Sequence, residues 1–185
     1  EDVGNDPTQP RRWAVLARAA LELARFPELE DARTLSLLDE ADTAIEAAQS
    51  AGLVAAEILV LEVRRCLARL ERGANADAID TCHGEVWPRL GLLGTGTEDP
   101  DLLELGSALA LLIHEQAPAV VTKADLETVY LLLERDLNDY GATLVRLLGR
   151  RLLLSRIEAD GPRLAELDLR IAAMRQQPTH EELFP

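Results

Sequence analysis

The feature that most constrains this chain is the spacing of apolar residues over residues 54–90. Up to residue 70, apolar or small side chains recur every three or four positions, which places them on one face of a helix. These residues are Ala55, Leu59, Val63, Cys66, Leu67 and Leu70. Gly73 and Asn75 then end this helix and cap a second one, in which four residues should face inward. They are Ile79, Cys82, Val86 and Leu90. Because the connection is short, the two helices must be antiparallel, and further helices are needed to cover their shared apolar face.

The same helical period continues through the rest of the 185-residue chain. Ala, Leu, Glu and Arg dominate while Phe, Trp and Tyr make up only 3% of residues, which favours helix-on-helix packing over sheets. We predict an all-α protein of about eight helices in four antiparallel hairpins that begin near residues 11, 54, 101 and 142. The helices should form a single helical-repeat domain over residues 11–176, with a flexible lead-in at 1–10 and a loose tail at 177–185.

Apolar stripes predict which face of each helix is buried. Three of these predicted stripes are Trp13, Leu16, Ala20 and Leu23 in the first helix, Leu38, Ala41, Ile45 and Ala48 in the second, and Leu144, Leu148 and Leu152 in the seventh, where Val145, Leu153 and Ile157 widen the stripe. Thr122, followed by Asp125, predicts a capped start of the sixth helix. Pro88 should bend or end the fourth helix, because proline lacks the N–H that a helix interior uses.

One turn resembles a known family. The segment GANADAID, which begins at Gly73, is similar to the turn and second-helix start of a tetratricopeptide repeat, with Gly73, Ala78 and Ile79 at matching positions. The segment LLDEADTAIEAAQSAG, which ends at Gly52, resembles a second helix of the same kind, whereas Glu85 and Leu67 depart from the family pattern. The resemblance implies an α-solenoid with a concave peptide-binding face, and a compact helical bundle would satisfy the same periodicity.

Charge and cysteine content limit the classes of partner. With a net charge of −14, the chain should be repelled by nucleic acid and by anionic membrane surfaces. Cys66 and Cys82 are too few for a disulfide framework, and we expect both to act as small hydrophobic residues in a cytoplasmic protein. Because the chain begins at Glu1 and its only methionine is Met174, we also expect it to be part of a larger protein.

No motif in the sequence predicts catalysis, a metal or a cofactor. The spacing of Cys66, Cys82, His83 and His114 lacks the paired ligands typical of zinc sites. The many carboxylates lie on the polar sides of the predicted helices, where a solvated acidic face is expected. We therefore predict that the protein is not an enzyme.

Two groups of arginines stand out in this acidic chain, and each lies on the first helix of a predicted hairpin. The first group is Arg64, Arg65, Arg69 and Arg72, and the second is Arg146, Arg150, Arg151 and Arg156. The tetratricopeptide resemblance implies that such helices line the concave face. The predicted binding residues there are Arg64, Arg65, Arg69, Arg146 and Arg150. They would hold an acidic peptide or a terminal carboxylate. Alternatively, the second group pairs with the acids of the preceding helix, which are Asp125, Glu127, Glu134, Asp136 and Asp139.

The sequence thus favours a non-catalytic protein–protein interaction domain that acts as a scaffold, regulator or sensor. A second hypothesis from a different class is an all-α bundle with an apolar cavity for a small ligand. That cavity would be lined by Gly106 and the leucine-rich fifth and seventh helices.

Overall fold

A computed structural model of the chain describes residues 9–73, 76–89, 100–140, 144–158 and 161–176. Within these residues there are eight α-helices, one π-helical turn and no strands, which confirms the predicted all-α class. The helices are α1 (Pro10–Ala24), α2 (Asp31–Ser50), α3 (Ala55–Glu71), α4 (Ala76–Thr81), α5 (Pro100–Gln116), α6 (Lys123–Tyr140), α7 (Leu144–Ile157) and α8 (Pro162–Arg175). Each helix in the described part of the chain is too short or too polar to span a lipid bilayer. Most of the predicted lead-in and all of the predicted tail lie outside the described residues.

The backbone contacts divide the chain into two compact units, Glu1–Gly96 (unit 1) and Thr97–Pro185 (unit 2). In unit 1, α3 packs against both α1 and α2, and α4 packs against α3. In unit 2, α7 packs against both α5 and α6, and α8 packs against α7. The third helix of each unit therefore contacts both helices of the preceding hairpin. That residues 11–176 form one continuous domain, and that their helices form a tetratricopeptide-like solenoid, both stay predictions.

Small residues form the contact between α1 and α2. Ala17, Ala20 and Ala24 of α1 are buried together with Ala41, Ala44 and Ala48 of α2, and such short side chains let helices lie close. The predicted stripe on α1 is wrong in part, because Leu16 and Leu23 are 48% and 50% exposed. The alanine face is turned inward together with the fully buried Leu21, while Val15, Leu16 and Leu23 point away from the core.

The second and third helices follow their predicted stripes more closely. Leu38, Ala41, Ile45 and Ala48 are all buried, as are the predicted residues of α3 except Ala55. Gly52 lies just after the end of α2 and has a positive φ of 87°. There the Leu53 N–H donates to the Ala48 carbonyl at 3.0 Å and the Gly52 N–H donates to the Gln49 carbonyl at 3.0 Å. This is the hydrogen-bond pattern of a Schellman C-cap, which satisfies carbonyls at the end of α2.

Unit 2 has a leucine-rich core and a capped start to α6. The Thr122 N–H and hydroxyl both donate to one Asp125 carboxylate oxygen, at 2.8 and 2.7 Å, which confirms the predicted cap. On α7 the predicted stripe is wrong in part, since Leu148 and Leu152 are exposed, while the predicted Leu153 is buried together with Leu147 and Leu154. The helix is rotated so that Arg150, between Leu147 and Leu154, also faces the interior.

A π-helical turn, Cys82–Val86, follows α4 and precedes Pro88. The Trp87 N–H donates to the Cys82 carbonyl, five residues back instead of four. Pro88 has no N–H for the Gly84 carbonyl, and its ring would crowd that carbonyl in a regular α-helix. The wider turn relieves this conflict, and the helical conformation continues to Arg89. Pro88 was predicted to bend or end the helix, and in the described residues the helix instead widens locally and continues past it.

Cys66 of α3 and Cys82 form a disulfide, so the expectation of two free cysteines is wrong. Their Cα atoms are 5.7 Å apart, within the range that a disulfide bridges. Their spacing placed both side chains on facing apolar stripes, but periodicity alone does not distinguish packed thiols from a covalent bond. The disulfide joins the short α4 segment to α3.

We expect reduction of this disulfide to lower the free energy of unfolding of unit 1. The bond closes a segment with a sequence separation of 16 residues, and a loop near that length restricts the unfolded chain by about 3 kcal/mol. Urea unfolding followed by circular dichroism, with and without dithiothreitol, measures the change.

A Cys66→Ala/Cys82→Ala variant is the matched control, because its urea midpoint should not respond to dithiothreitol. If the wild-type midpoint were also unchanged by the reductant, the disulfide would not contribute to the stability of the folded chain.

Candidate functional site

The arginines of α3 connect that helix to its two neighbours in unit 1. Arg64 forms an ion pair with Glu22 of α1, while Arg65 and Arg69 both reach Asp42 of α2. Arg72 donates from all three of its nitrogens to backbone carbonyls at and just after the end of α1. Those carbonyls belong to Ala24, Phe26 and Leu29. A guanidinium at a helix C-terminus satisfies unpaired carbonyls and interacts favourably with the helix dipole.

The arginines of α7 have the same arrangement in unit 2. Each one contacts a carboxylate on a neighbouring helix, and the partners lie on three different helices. The pairs are Arg146 with Glu104 of α5, Arg150 with Glu134 of α6, Arg151 with Asp168 of α8, and Arg156 with Glu115 of α5. Of the acids expected on α6, Glu134 takes part in this set, and the side chains of Asp136 and Asp139 lie outside the described residues.

The five predicted binding arginines are therefore distributed over both units. Arg64, Arg65 and Arg69 lie in unit 1, and Arg146 and Arg150 lie in unit 2. Each has a carboxylate partner in its own unit, which reduces the charge available to an external acidic group. Their role in capturing a peptide stays a prediction.

Arg150 is the most buried of the ionised side chains described, at 2% exposure. One Nη donates to the Tyr130 hydroxyl at 3.2 Å and to Glu134 at 3.1 Å, and the guanidinium carbon lies 5.0 Å from the centre of the Tyr130 ring. The Arg163 guanidinium carbon lies 5.1 Å from the same ring centre. Arg163 also binds Glu127 and Glu158, and these hydrogen bonds raise its pKa further above the ordinary arginine value. Arg150 thus holds α7 against α6 from inside the fold.

A candidate binding site in unit 1 is a pocket of about 550 Å³, a volume within the range of small-ligand sites. One face of α2, the C-terminal end of α3 and the first turns of α4 enclose it. Its lining residues are Asp31, Thr34, Leu35, Leu38, Asp39, Arg69, Arg72, Gly73, Asp77, Ala78 and Thr81. Only Arg69 belongs to the binding residues predicted from sequence.

The pocket residues of α2 have a helical spacing that the sequence contains but does not mark as functional. Asp31, Thr34, Leu35 and Leu38 follow one another at intervals of three, one and three, so they share one face. A mixture of acidic, hydroxyl and apolar side chains on that face is neither an apolar stripe nor a charged one. This mixed character is the signal that could have identified the site.

A second surface feature of unit 1 is the outer face of α1, formed by Val15, Leu16, Ala19, Leu23 and Phe26. All five are exposed, and Phe26 is 59% exposed although it directly follows the helix. Arg11 and Arg18 flank this face and are also exposed, and neither has an ion pair within the described residues. The face therefore combines large apolar side chains with cations that have no partner in the described structure.

Other residues with reactive side chains have structural roles. The His114 ring donates from Nδ1 to the Val121 carbonyl at 2.7 Å and thereby connects the end of α5 to the following turn. Cys66 and Cys82 are joined to each other. In the described part of the chain, no group of three His, Cys, Asp or Glu residues could hold a metal ion.

We expect Arg150→Ala to lower the free energy of unfolding by about 2–4 kcal/mol, because it removes a large buried side chain and leaves a cavity. Arg150→Met should recover most of this loss, since it fills the space and the half-exposed Glu134 stays hydrated. Arg156→Ala is the control, because that exposed ion pair should contribute less than about 1 kcal/mol. Urea unfolding measures all three variants, and equal losses for Arg150→Ala and Arg156→Ala would contradict the structural role of Arg150.

We also expect the Asp168 carboxyl to titrate below the ordinary aspartate range. Hydrogen bonds from Arg151 lower its pKa, so the stabilisation from this pair is present above the ordinary value and is lost as pH falls through the lowered pKa. Carboxyl-detected NMR titration of the wild type and of Arg151→Gln measures the difference. Arg170→Gln removes the same charge nearby and should leave the midpoint unchanged, whereas an equal shift in both variants would point to net charge alone.

Comparisons of this chain with protein-family models, with curated proteins and with solved structures each gave no match. The tetratricopeptide resemblance therefore depends on a few residues of the sequence, chiefly Gly73, Ala78 and Ile79. What bears on function is the geometry of the two features of unit 1, the pocket and the outer face of α1.

Proposed function

We propose that the chain is a non-catalytic protein–protein interaction domain whose partner binds the outer face of α1. The observation that carries this proposal is the exposure of Val15, Leu16, Leu23 and Phe26 along one helix. Folded proteins rarely leave several large apolar side chains together in water unless another molecule covers them. A scaffold, regulatory or sensor role within a larger protein is consistent with such a contact.

The charges beside this face favour an acidic partner. Arg11 and Arg18 have no ion pair within the described residues, whereas the arginines of α3 and α7 are paired with carboxylates. A partner segment with apolar residues flanked by Asp or Glu would bury the leucines and pair with these two arginines. The overall charge of −14 disfavours nucleic acid and anionic membranes as partners.

The same order of helix neighbours in units 1 and 2 supports a tetratricopeptide-like repeat as the basis of this domain. The sequence led us to expect a cytoplasmic protein, but the Cys66–Cys82 disulfide favours an oxidising compartment. A non-catalytic role is supported by His114 and the two cysteines, which are engaged in bonds that maintain the fold.

The second hypothesis is a small-ligand site, which the sequence placed between α5 and α7. The observation that favours such a site is instead the pocket of unit 1. Leu102 and Leu109 of α5 and Leu147 and Leu153 of α7 are fully buried in unit 2, so they act as core residues. The pocket that could accept a ligand lies in unit 1, and its walls combine charged side chains with apolar surface.

We expect Leu16→Gln/Leu23→Gln to weaken partner binding by about tenfold or more, because two apolar side chains would no longer be buried in the contact. The probe is a fluorescein-labelled amphipathic peptide with leucines on one face and glutamates beside them, compared with a peptide in which lysines replace the glutamates. Fluorescence anisotropy measures both affinities, and the glutamate peptide should bind more tightly.

Leu131→Gln/Leu169→Gln is the matched control, since both leucines are at least as exposed but lie on separate helices of unit 2. This control should bind the probe like the wild type. Loss of binding in the control, or none in Leu16→Gln/Leu23→Gln, would contradict the proposal. Dimerisation of the wild type through α1, detected by analytical ultracentrifugation, would replace the acidic partner with a second copy of the chain.

A further inference from the structure

The pocket of unit 1 contains three carboxylates that have no partner in the described structure. Asp31 and Asp39 lie on the same face of α2, two turns apart, and Asp77 lies across the pocket in the first turn of α4. All three are exposed, and none forms an ion pair or a side-chain hydrogen bond within the described residues. Their negative charge is therefore directed at solvent in and around the pocket.

The two arginines of the pocket offset only part of this negative charge. Arg69 is paired with Asp42, which lies outside the pocket lining, and Arg72 is bound to the backbone carbonyls of Ala24, Phe26 and Leu29. Carbonyls are neutral, so Arg72 keeps its positive charge, but the three aspartates outnumber it. The pocket is therefore net negative and attracts a cationic ligand more than an anionic one.

The inner wall of the pocket adds an apolar surface and an unsatisfied hydroxyl. Leu38 is buried at this wall and Leu35 stands at the rim, 62% exposed, so an aliphatic stem could pack between them. Thr34 lines the pocket at 3% exposure, and its hydroxyl has no hydrogen-bond partner within the described residues. A buried hydroxyl normally has a partner, and a donor group on a ligand would supply one.

We propose that this pocket binds an alkyl cation, a guanidinium or ammonium group carried on an aliphatic stem. Asp31, Asp39 and Asp77 attract the cation, and Leu35 and Leu38 contact the stem. Either an arginine or lysine side chain of a peptide or a free polyamine carries this chemistry. The site is separate from the outer face of α1, and it does not depend on the function proposed for that face.

The test uses the full chain and a fluorescein-labelled octapeptide that contains two arginines separated by leucines. Two further peptides carry glutamine or glutamate in place of both arginines, and fluorescence anisotropy gives the affinities. We expect the arginine peptide to bind most tightly. Asp31→Asn/Asp39→Asn/Asp77→Asn should weaken its binding by about tenfold or more, because three attractive charges are removed while the side-chain shapes are kept.

The matched control is Glu28→Gln/Glu46→Gln/Glu57→Gln, which makes the same change in net charge at exposed acids outside the pocket. Its affinity should stay within about twofold of the wild type, since exposed charges far from the ligand are screened by salt. An equal loss in both triple variants, or equal binding of the glutamine and arginine peptides, would overturn the proposal.

Displacement of the arginine peptide by spermidine would identify a free polyamine as a ligand, whereas binding without displacement would assign the site to a peptide side chain. Both results support a cation site. Circular dichroism melting reports whether the triple variant folds. If it does not, Thr34→Val keeps the charge and shape of the wall, and we expect severalfold weaker peptide binding. Unchanged affinity in Thr34→Val would then overturn the proposal.

Discussion

Close packing of alanines between α1 and α2 is the constraint on which unit 1 depends. Ala17, Ala20 and Ala24 bring α1 near α2, and α3 then packs against both helices. Each alanine buries little apolar surface, so the helices are also connected at their edges by polar contacts. Arg64 of α3 and Arg72, which directly follows α3, supply such contacts to α1 and to the turn after it. These arginines thus add polar contacts at the edge of an interface that contains many small side chains.

The same constraint explains why sequence reasoning was correct for some helices and wrong for others. On α2 the alanines and the larger residues Leu38 and Ile45 share one face, so the predicted stripe is the buried one. On α1 the alanines and the larger residues Leu16 and Leu23 lie on different faces. A pattern that ranks residues by hydrophobicity selects the leucines, whereas the packing distance selects the alanines. Local signals with a single geometric solution, such as Thr122 with Asp125, were predicted correctly.

Contacts between distant residues could not be predicted in the same way. The spacing of Arg150 marks it as part of a charged group, but its burial follows from the position of Tyr130 on another helix. Cys66 and Cys82 were placed on facing stripes, yet the bond between them requires a distance that only the packed helices define. Of the residues that line the pocket, Arg69 was the one predicted to bind a partner, because the pocket also needs the end of α3 and the start of α4 to meet α2.

Unit 1 presents two surfaces of opposite electrostatic character. The outer face of α1 combines apolar residues with Arg11 and Arg18, while the pocket combines Leu35 and Leu38 with three aspartates. In both surfaces, charged residues border an apolar centre. The apolar centre contributes affinity for a partner, and the charges help to set the partner's orientation. In a chain whose arginines are mostly paired internally, these two places retain charges without partners in the described structure.

The π-helical turn before Pro88 has a consequence for related sequences. A turn closed by a hydrogen bond to the fifth preceding residue contains one residue more than a regular α-helical turn. Ile79, Cys82 and Val86 are buried at intervals of three and four residues, so the wider turn leaves the inward face of this segment unchanged. A related sequence with an ordinary residue in place of Pro88 regains the N–H that the Gly84 carbonyl accepts in a regular α-helix, and its turn is expected to close with regular hydrogen bonds.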